Sequence, residues 1–474
     1  MLRWRGTWSK PGQADNAAKE DMARSCDLIL SASCIVTQND QREVIRDGAL
    51  AVADGRIAAL GPRVRLEAEW LAAERRDLGE ALILPGLINA HTHAPMTLLR
   101  GLADDLPLME WLTGHIFPCE AKLTPAMLEA GTALACAEML ACGITAFADM
   151  YLNEAAVYHT IDRLGLRALV GEGIFAFPSI GCADPARFLD LARAQAEELA
   201  GHERLRYAVS PHAVYTTSRA ILEGCALLAE ELELPVQIHL AESKEETARC
   251  LEMYGCRPVE LCRRSGLLTP RTLAAHGVDL NSTEIDLLAQ TGVSLAHNPR
   301  SNMKLASGVS PLPALLDRGC NVALGTDGAA SNNRLNLFCE MSACAMLHKL
   351  QGLDPALLPA QTVLDMATRN GALALGWPEL GRLVPGAPAD LAAMDLTRPG
   401  LVPLHNPVSQ LVYAAGGDEV RLTMVAGRIL YEDGRFPGLD YPALAKEAQG
   451  MGIRLRASAA GATGAQDAPG KTRS

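Results

Sequence analysis

Apolar and polar positions divide the chain into a middle and two ends. From Cys26 to about Leu82 run short β-type segments, LILSASCIV, GALAVADG and RIAALG, separated by turn signals at Asn39-Asp40, Asp47-Gly48 and Asp54-Gly55. Runs of the same kind return near the other end in ADLAAMD and VRLTMVAGRILYEDG, where Ala426-Gly427 marks a hairpin. The two ends are therefore expected to pair into one small β-domain, residues 26–82 plus 380–440, with everything else inserted between them.

In the middle, strand-like and helix-like segments alternate. The candidate strands are Ile83–Asn89, Ile144–Asp149, Ala168–Glu172, Arg206–Ser210, Val236–Leu240, Thr272–His276, Val293–His297 and Asn321–Thr326. Eight strands with room for a helix after most of them predict an α/β fold, a (β/α)8 TIM-like barrel over residues 83–379. One helix can be bounded closely: Thr124 and Pro125 supply an N-cap and first-turn proline, an Ala-rich apolar run follows, and Gly143 closes it. Residues 1–25 read as a disordered leader with Met22 as an alternative start, and residues 457–474, rich in Ala, Gly and Ser, read as a disordered tail.

At 474 residues the chain is too long for one compact core, which agrees with a large domain beside a smaller one. Hydrophobic residues at 49% and charged residues at 21% are those of a soluble globular protein. The 43 basic and 55 acidic residues give a net charge of −12 without any dense Lys/Arg stripe, so a nucleic-acid partner is disfavoured and a small molecule expected. No apolar run approaches the ~20 residues of a membrane span, and the N-terminus has no secretory h-region. The 13 Cys residues contain no C-x-x-C pair, which fits reduced thiols in a cytoplasm; Cys250, Cys256 and Cys262, six residues apart, read as small buried residues of a helical surface.

In a barrel the chemistry belongs at the C-terminal ends of the strands, and polar residues fall there repeatedly. In Asn89-Ala90-His91-Thr92-His93 an extended backbone points His91 and His93 the same way, so both can face one metal. His239 ends PVQIHLAE with Glu242 three residues later, His276 closes AAH, and Asp327 sits in ALGTDGAASNN. Singly, each has an ordinary explanation, a loop hydrogen bond or a turn Asp. The conjunction at one end of successive strands does not. Two to three neutral imidazoles and one carboxylate suit Zn2+ or a similar borderline metal, with an open position for a water acidified toward neutral pH. Asp327 can then take a proton from that water, Glu242 can deliver one to the ring nitrogen beside the attacked carbon, and His276 can polarise the attacked centre.

PGLINAHTHAPMTLLRGLADDLPLMEWL, HLAESKEE, LAAHGV, SLAHNPRSNMKLASG and NVALGTDGAASNN resemble the motifs of the 5-methylthioadenosine/S-adenosylhomocysteine deaminase group of the amidohydrolase superfamily, from about Cys26 to Phe436. The resemblance implies a distorted barrel with a composite β-sandwich from both chain ends, and one zinc per subunit bound by His91, His93, His239 and Asp327. It also implies a purine nucleoside substrate, with Glu120 (FPCEAK) and His212 (SPHAVYTTS) at the ribose hydroxyls and Glu242, the proton shuttle, at the ring beside Asp327. Trp111, in LMEWL, is expected either to stack on the purine or to be buried in the core.

Many two-metal relatives bridge their ions with a carboxylated lysine, but no lysine lies between Lys122 and Lys244, which favours one metal. Glu172, at the end of a candidate strand in LVGEGIF, is a substitute bridge in principle, with a pocket-wall or strand-end hydrogen-bond role as the favoured reading. Some members place an Arg near the substrate tail ahead of the position of His212; Arg187, Arg193, Arg204 and Arg206 fall there, and no motif selects among them. The rival activities are an s-triazine chlorohydrolase and a guanine or pterin deaminase, and a metal-free scaffold is the rival class. Glu242 favours deamination, because an amine leaving group needs a proton and chloride does not. The order of the adenosine derivatives as substrates is left open, as is a homo-oligomer.

Overall fold

The computed structural model describes residues 24–463. Met22 and most of the expected leader lie outside the described residues. β1 (Arg24–Val36), β2 (Val44–Ala53) and β3 (Arg56–Pro62) form an antiparallel meander. Asp54 and Gly55 reverse β2 into β3 with φ of 50° and 72°, left-handed values that match the twist of a tight hairpin. Asp47-Gly48, expected as a turn, lies inside β2 instead: Asp47 takes φ 45° while pairing with β1 continues on both sides. A helix, Arg63–Glu69, and β4 (Trp70–Asp77) follow without having been foreseen. β4 runs parallel to the first half of β1, and β5 (Ala81–Pro85) to its second half.

The middle of the chain contributes β6 (Leu87–Thr92), β7 (Ile144–Asp149), β8 (Arg167–Val170), β9 (Gly173–Ile174), β10 (Leu205–Tyr207), β11 (Ser210–Pro211), β12 (Val236–Leu240), β13 (Thr272–His276), β14 (Ser294–His297) and β15 (Val322–Leu324). The far end adds β16 (Leu391–Asp395), β17 (Val420–Val425) and β18 (Arg428–Glu432). β16 pairs antiparallel with β5, so one eight-stranded sheet, ordered β18-β17-β16-β5-β1-β2-β3 with β4 beside β1, is drawn from both ends. The apolar run expected as a single strand over Ile83–Asn89 is thus two strands. The chain leaves this sheet at Gly86, whose N–H bonds the Asp390 carbonyl, and enters the parallel set as β6.

The parallel strands form two four-stranded sheets, β10-β8-β7-β6 and β12-β13-β14-β15, and a pair, β11-β9, rather than one continuous ring of pairings. Bridges from Val209 to Val236 and from Ala213 to His239 tie the pieces together. The N–H groups of Thr326 and Asp327 bond the His91 carbonyl at 3.1 and 2.9 Å, bringing the end of β15 beside β6. Between the strands lies a core rich in small residues, Ala90, Ala146, Ala148, Ala208, Ala296 and Ala323, packed with Ile88, Leu169 and Leu273.

The helix Pro125–Ala141 begins as its sequence requires, with the Thr124 hydroxyl accepting the Met127 N–H. Across it packs a helix, Tyr441–Thr463, whose Leu444, Ala448, Met451 and Leu455 form one buried stripe at helical spacing. Residues 457–463, expected as disordered tail, continue this helix; their alanine content favours helix as much as low complexity. Residues 464–474 lie outside the described residues. All 13 cysteines are free and all but Cys339 are buried, Cys250, Cys256 and Cys262 included. Among the described residues no helix is long and apolar enough to cross a membrane.

Candidate active site

His91 lies on β6, His93 one residue beyond it, His239 near the end of β12 and Asp327 just after β15. Their approach depends on the glycines flanking Asp327. A Cβ on Gly325 would lie 2.9 Å from the His91 backbone nitrogen, and one on Gly328 would lie 2.6 Å from Met96 Sδ and 3.3 Å from His93 Cβ. His93 Nε2 is 3.2 Å from His239 Nε2 and 3.2 Å from Asp327 Oδ1, and His91 Nε2 is 3.5 Å from that same oxygen. Tetrahedral ligands about 2.0–2.1 Å from a metal stand about 3.3 Å apart, so these spacings fit a shared ion.

Three further observations agree. The buried His91 Nε2 has no hydrogen-bond partner. The far sides of the donors are held: His93 Nδ1 by the Met150 carbonyl, His239 Nδ1 by the His212 carbonyl at 2.7 Å, and Asp327 Oδ2 by the hydroxyls of Ser301 at 2.6 Å and Ser331 at 2.7 Å. Burial pulls His91 down to about 4 and His239 well below the usual imidazole value, leaving neutral rings able to donate. Burial would lower His93 as well, but the Asp327 carboxylate beside it lifts it to about 9. Burial would raise Asp327, and the His91 and His93 rings beside it hold it well below the carboxylate range instead. This opposition marks a spot that demands positive charge. The buried set fits a single metal ion.

A second group among the described residues, His297, Cys344 and His348, also gathers its donor atoms within 4.8 Å of one another, with His297 Nε2 3.2 Å from His348 Nε2. Its outer support is missing: both Nδ1 atoms are buried without hydrogen-bond partners. Ligating imidazoles nearly always donate through the other nitrogen, so the contact reads as an imidazole pair in the core.

Glu242 and His276 stand beside the first set. His276 Nε2 lies 3.8 Å from Glu242 Oε1, buried and unpartnered, while its Nδ1 is 3.0 Å from Asn302 Oδ1. Burial pushes the Glu242 carboxyl above its ordinary value. Backbone strain accompanies these positions: Ala241, His276 and Asp327 take φ of 52°, 76° and 60°, values costly for residues with a Cβ and concentrated here at strand ends.

One cavity is lined by His93, His239, Glu242, His276 and Asp327, and Trp111, Glu120 and His212 also line it. Trp111 is 4% exposed and lies on the cavity wall. The His212 ring stacks on Phe175 at 4.7 Å and lies 4.6 Å from the His239 ring. Glu120 is buried near Tyr151, and burial raises its carboxyl. A second chamber of about 1330 Å3 shares Phe117, Glu120, Leu152, Phe175 and Tyr215 with the first, and its outer wall is apolar apart from a few polar groups that include Arg249.

Glu172 is no bridge: its carboxylate accepts the Asn153 and Glu154 N–H groups at 2.8 and 2.7 Å, the strand-end role, and it is absent from the metal group. None of the four arginines considered lines either chamber. Arg193 pairs with Glu231, Arg204 with Asp162, and Arg206 lies over Trp377 at 4.3 Å. Sequence reasoning missed Ser301, Ser331 and Asn302, which hold Asp327 and His276, and Asn89, whose side chain bonds both the N–H and the hydroxyl of Thr326.

Residues 82–430 match the amidohydrolase family. The chain is 60% identical to a 5-methylthioadenosine/S-adenosylhomocysteine deaminase of Nitratidesulfovibrio vulgaris, over 89% of this chain and 96% of that protein. An adenosine deaminase from Xanthomonas campestris, solved with bound zinc, superposes with a TM-score of 0.89 at 38% identity, covering 92% of this chain and 99% of the other. An atrazine chlorohydrolase from Arthrobacter aurescens, complexed with zinc, gives a TM-score of 0.83 over 90% of this chain and all of its own, but at 24% identity it shows a shared fold alone. With the match spanning most of its length, the chain belongs to the amidohydrolase family, in the group of the 5-methylthioadenosine/S-adenosylhomocysteine deaminases.

Proposed function

We propose that this chain is a zinc-dependent aminohydrolase that converts an adenine nucleoside, 5-methylthioadenosine, S-adenosylhomocysteine or adenosine, into the inosine analogue and ammonia. The observation that carries the reading is the Glu242 carboxyl, 3.8 Å from His276 Nε2, in one cavity with His93, His239 and Asp327. The relatives' names and the zinc in the Xanthomonas campestris structure support it.

His91, His93, His239 and Asp327 would hold one zinc per chain, which would supply a water acidified toward neutral pH. Asp327 accepts that water's proton, its Oδ2 being steadied by Ser301 and Ser331. Glu242, whose carboxyl burial shifts toward the acid form, donates to N1 of the purine as C6 is attacked. His276, oriented by Asn302, turns Nε2 toward the oxygen added at C6. The proton held by Asp327 passes to the departing amino group, which leaves as ammonia, and the hydroxyl proton on the C6 oxygen returns to the Glu242 carboxylate as the carbonyl forms. Glu120 and His212 take the ribose hydroxyls and Trp111 packs on the purine. The outer chamber receives the 5′ substituent.

We read the parallel strands as a (β/α)8 barrel over residues 83–379, supported by the bonds from Thr326 and Asp327 to His91, and residues 26–82 plus 380–440 as its β-sandwich. The free cysteines support a cytoplasmic location. Incubation with a panel of 5′-substituted adenosines, alongside guanine and atrazine, tests the activity by ammonia release and loss of the adenine absorbance band. Turnover of atrazine or guanine with every adenosine left intact would refute it.

A further inference from the structure

Glu246 is 3% exposed and has no place in the reaction just described, yet both its carboxylate oxygens are engaged. Oε2 accepts the Glu242 N–H at 2.6 Å and Oε1 the Ala241 N–H at 3.2 Å. Helix capping does not account for this. Glu246 is the third residue of the helix Lys244–Tyr254, and the Ser243 hydroxyl accepts its N–H at 3.1 Å, which is half of a capping box. The other half would be a bond from the Glu246 carboxylate to the Ser243 N–H. The chain builds the complete box elsewhere, where Glu284 bonds back to the Asn281 N–H at 3.0 Å. At Glu246 the carboxylate passes its N-cap and reaches one and two residues further back.

Those two residues form the turn that aims Glu242. Ala241 has φ 52°, a left-handed value that a Cβ disfavours unless the surroundings impose it. Its carbonyl is held by the N–H groups of Val278 and Asp279 at 2.8 and 2.9 Å, and Glu246 holds the N–H groups on either side of it. Released from Glu246, the turn loses the restraint nearest to Glu242.

We infer that Glu246 is a positioning residue, whose carboxylate clamps the left-handed turn at Ala241 so that the Glu242 carboxyl faces His276 and the cavity. The inference rests on the role given to Glu242 above. Glu246→Gln keeps the shape but turns an amide N–H toward one of the two donors. With 5-methylthioadenosine as substrate, its kcat is expected to fall about 10- to 100-fold, the cost of misplacing a reacting group by about an ångström. KM and bound zinc should change little. The double variant Glu242→Gln/Glu246→Gln should be no slower than Glu242→Gln alone, because the effect of Glu246 passes through Glu242. Ser243→Ala, which removes the cap without touching the clamp, should keep its kcat even if its melting temperature falls as far as that of Glu246→Gln.

Wild-type kcat in Glu246→Gln would overturn the inference. So would a double variant slowed by the full product of the two single effects. Glu246→Asp, with the charge kept and the arm one methylene shorter, should lie between wild type and Gln, and provides the test if the Gln variant folds poorly; full activity in it counts against the clamp. Full turnover in Glu242→Gln is a different failure, removing the proton shuttle itself.

Discussion

Ser331 donates its hydroxyl hydrogen to Asp327 Oδ2 at 2.7 Å, so Oδ1, 3.2 Å from His93 Nε2, is the oxygen left free to face a metal ion. Ser301 reaches Oδ2 from a different helix at 2.6 Å. The division of labour predicts that Ser331→Ala weakens zinc binding by about 10-fold, the lower end of what loss of an outer partner costs. Competition with a chelator of known affinity reads it directly, and Ser301→Ala/Ser331→Ala together should be weaker still.

Glu242→Gln should retain zinc and lose most turnover. The wild-type carboxyl is raised by burial, so its acid form persists above the usual carboxylate range and is lost as pH rises through that raised value; kcat should therefore decline on the alkaline side. A raised folded-state value also means that the folded chain binds more protons than the unfolded one, so this group makes stability fall with rising pH. The Gln variant should melt no lower than wild type at alkaline pH. Unchanged deamination by it would remove Glu242 from the mechanism.

Arg249 lines the outer chamber and is exposed. Arg249→Met should lower kcat/KM for S-adenosylhomocysteine, whose 5′ substituent ends in a carboxylate, by up to about fivefold, the scale of a solvent-screened ion pair of up to ~1 kcal/mol. 5-Methylthioadenosine should be unaffected. Equal losses on both substrates would place the tail elsewhere.

Elemental analysis of the purified chain should find one zinc. His239→Ala should lose it, whereas Cys344→Ser, in the group without outer support, should not change the count. Two zincs per wild-type chain, falling to one in Cys344→Ser, would reverse the ranking of the two clusters.

What could be read in advance follows physical lines. β7, β12 and β13 coincide with the expected strands because each is a short apolar run between clear breaks, and His239 and His276 stand out as polar residues ending such runs. The run through Ile83 reads as one strand because the residues on both sides of Pro85-Gly86 are apolar, and that dipeptide is where the chain passes from one sheet to the other. β4 was hidden because Glu74, Arg75 and Arg76 in succession put charge on both of its faces and leave no apolar alternation to read. Ser301 and Ser331 were invisible for another reason: a serine in a loop or short helix has no periodic signal, and only the folded chain brings these two to one oxygen of Asp327. Trp111 illustrates a false choice, because a wall residue can be both packed and in contact with a ligand.

The sheet shared by both ends bears on how the protein is made. β5 meets β1 early in synthesis, but its other edge waits for β16, whose Leu391 pairs with Pro85. A nascent chain leaving the ribosome therefore presents an open strand edge until nearly all of its length has been translated, and open edges invite pairing with other chains. Synthesis halted before β16 should yield a product that aggregates or is degraded, even with every catalytic residue already in place.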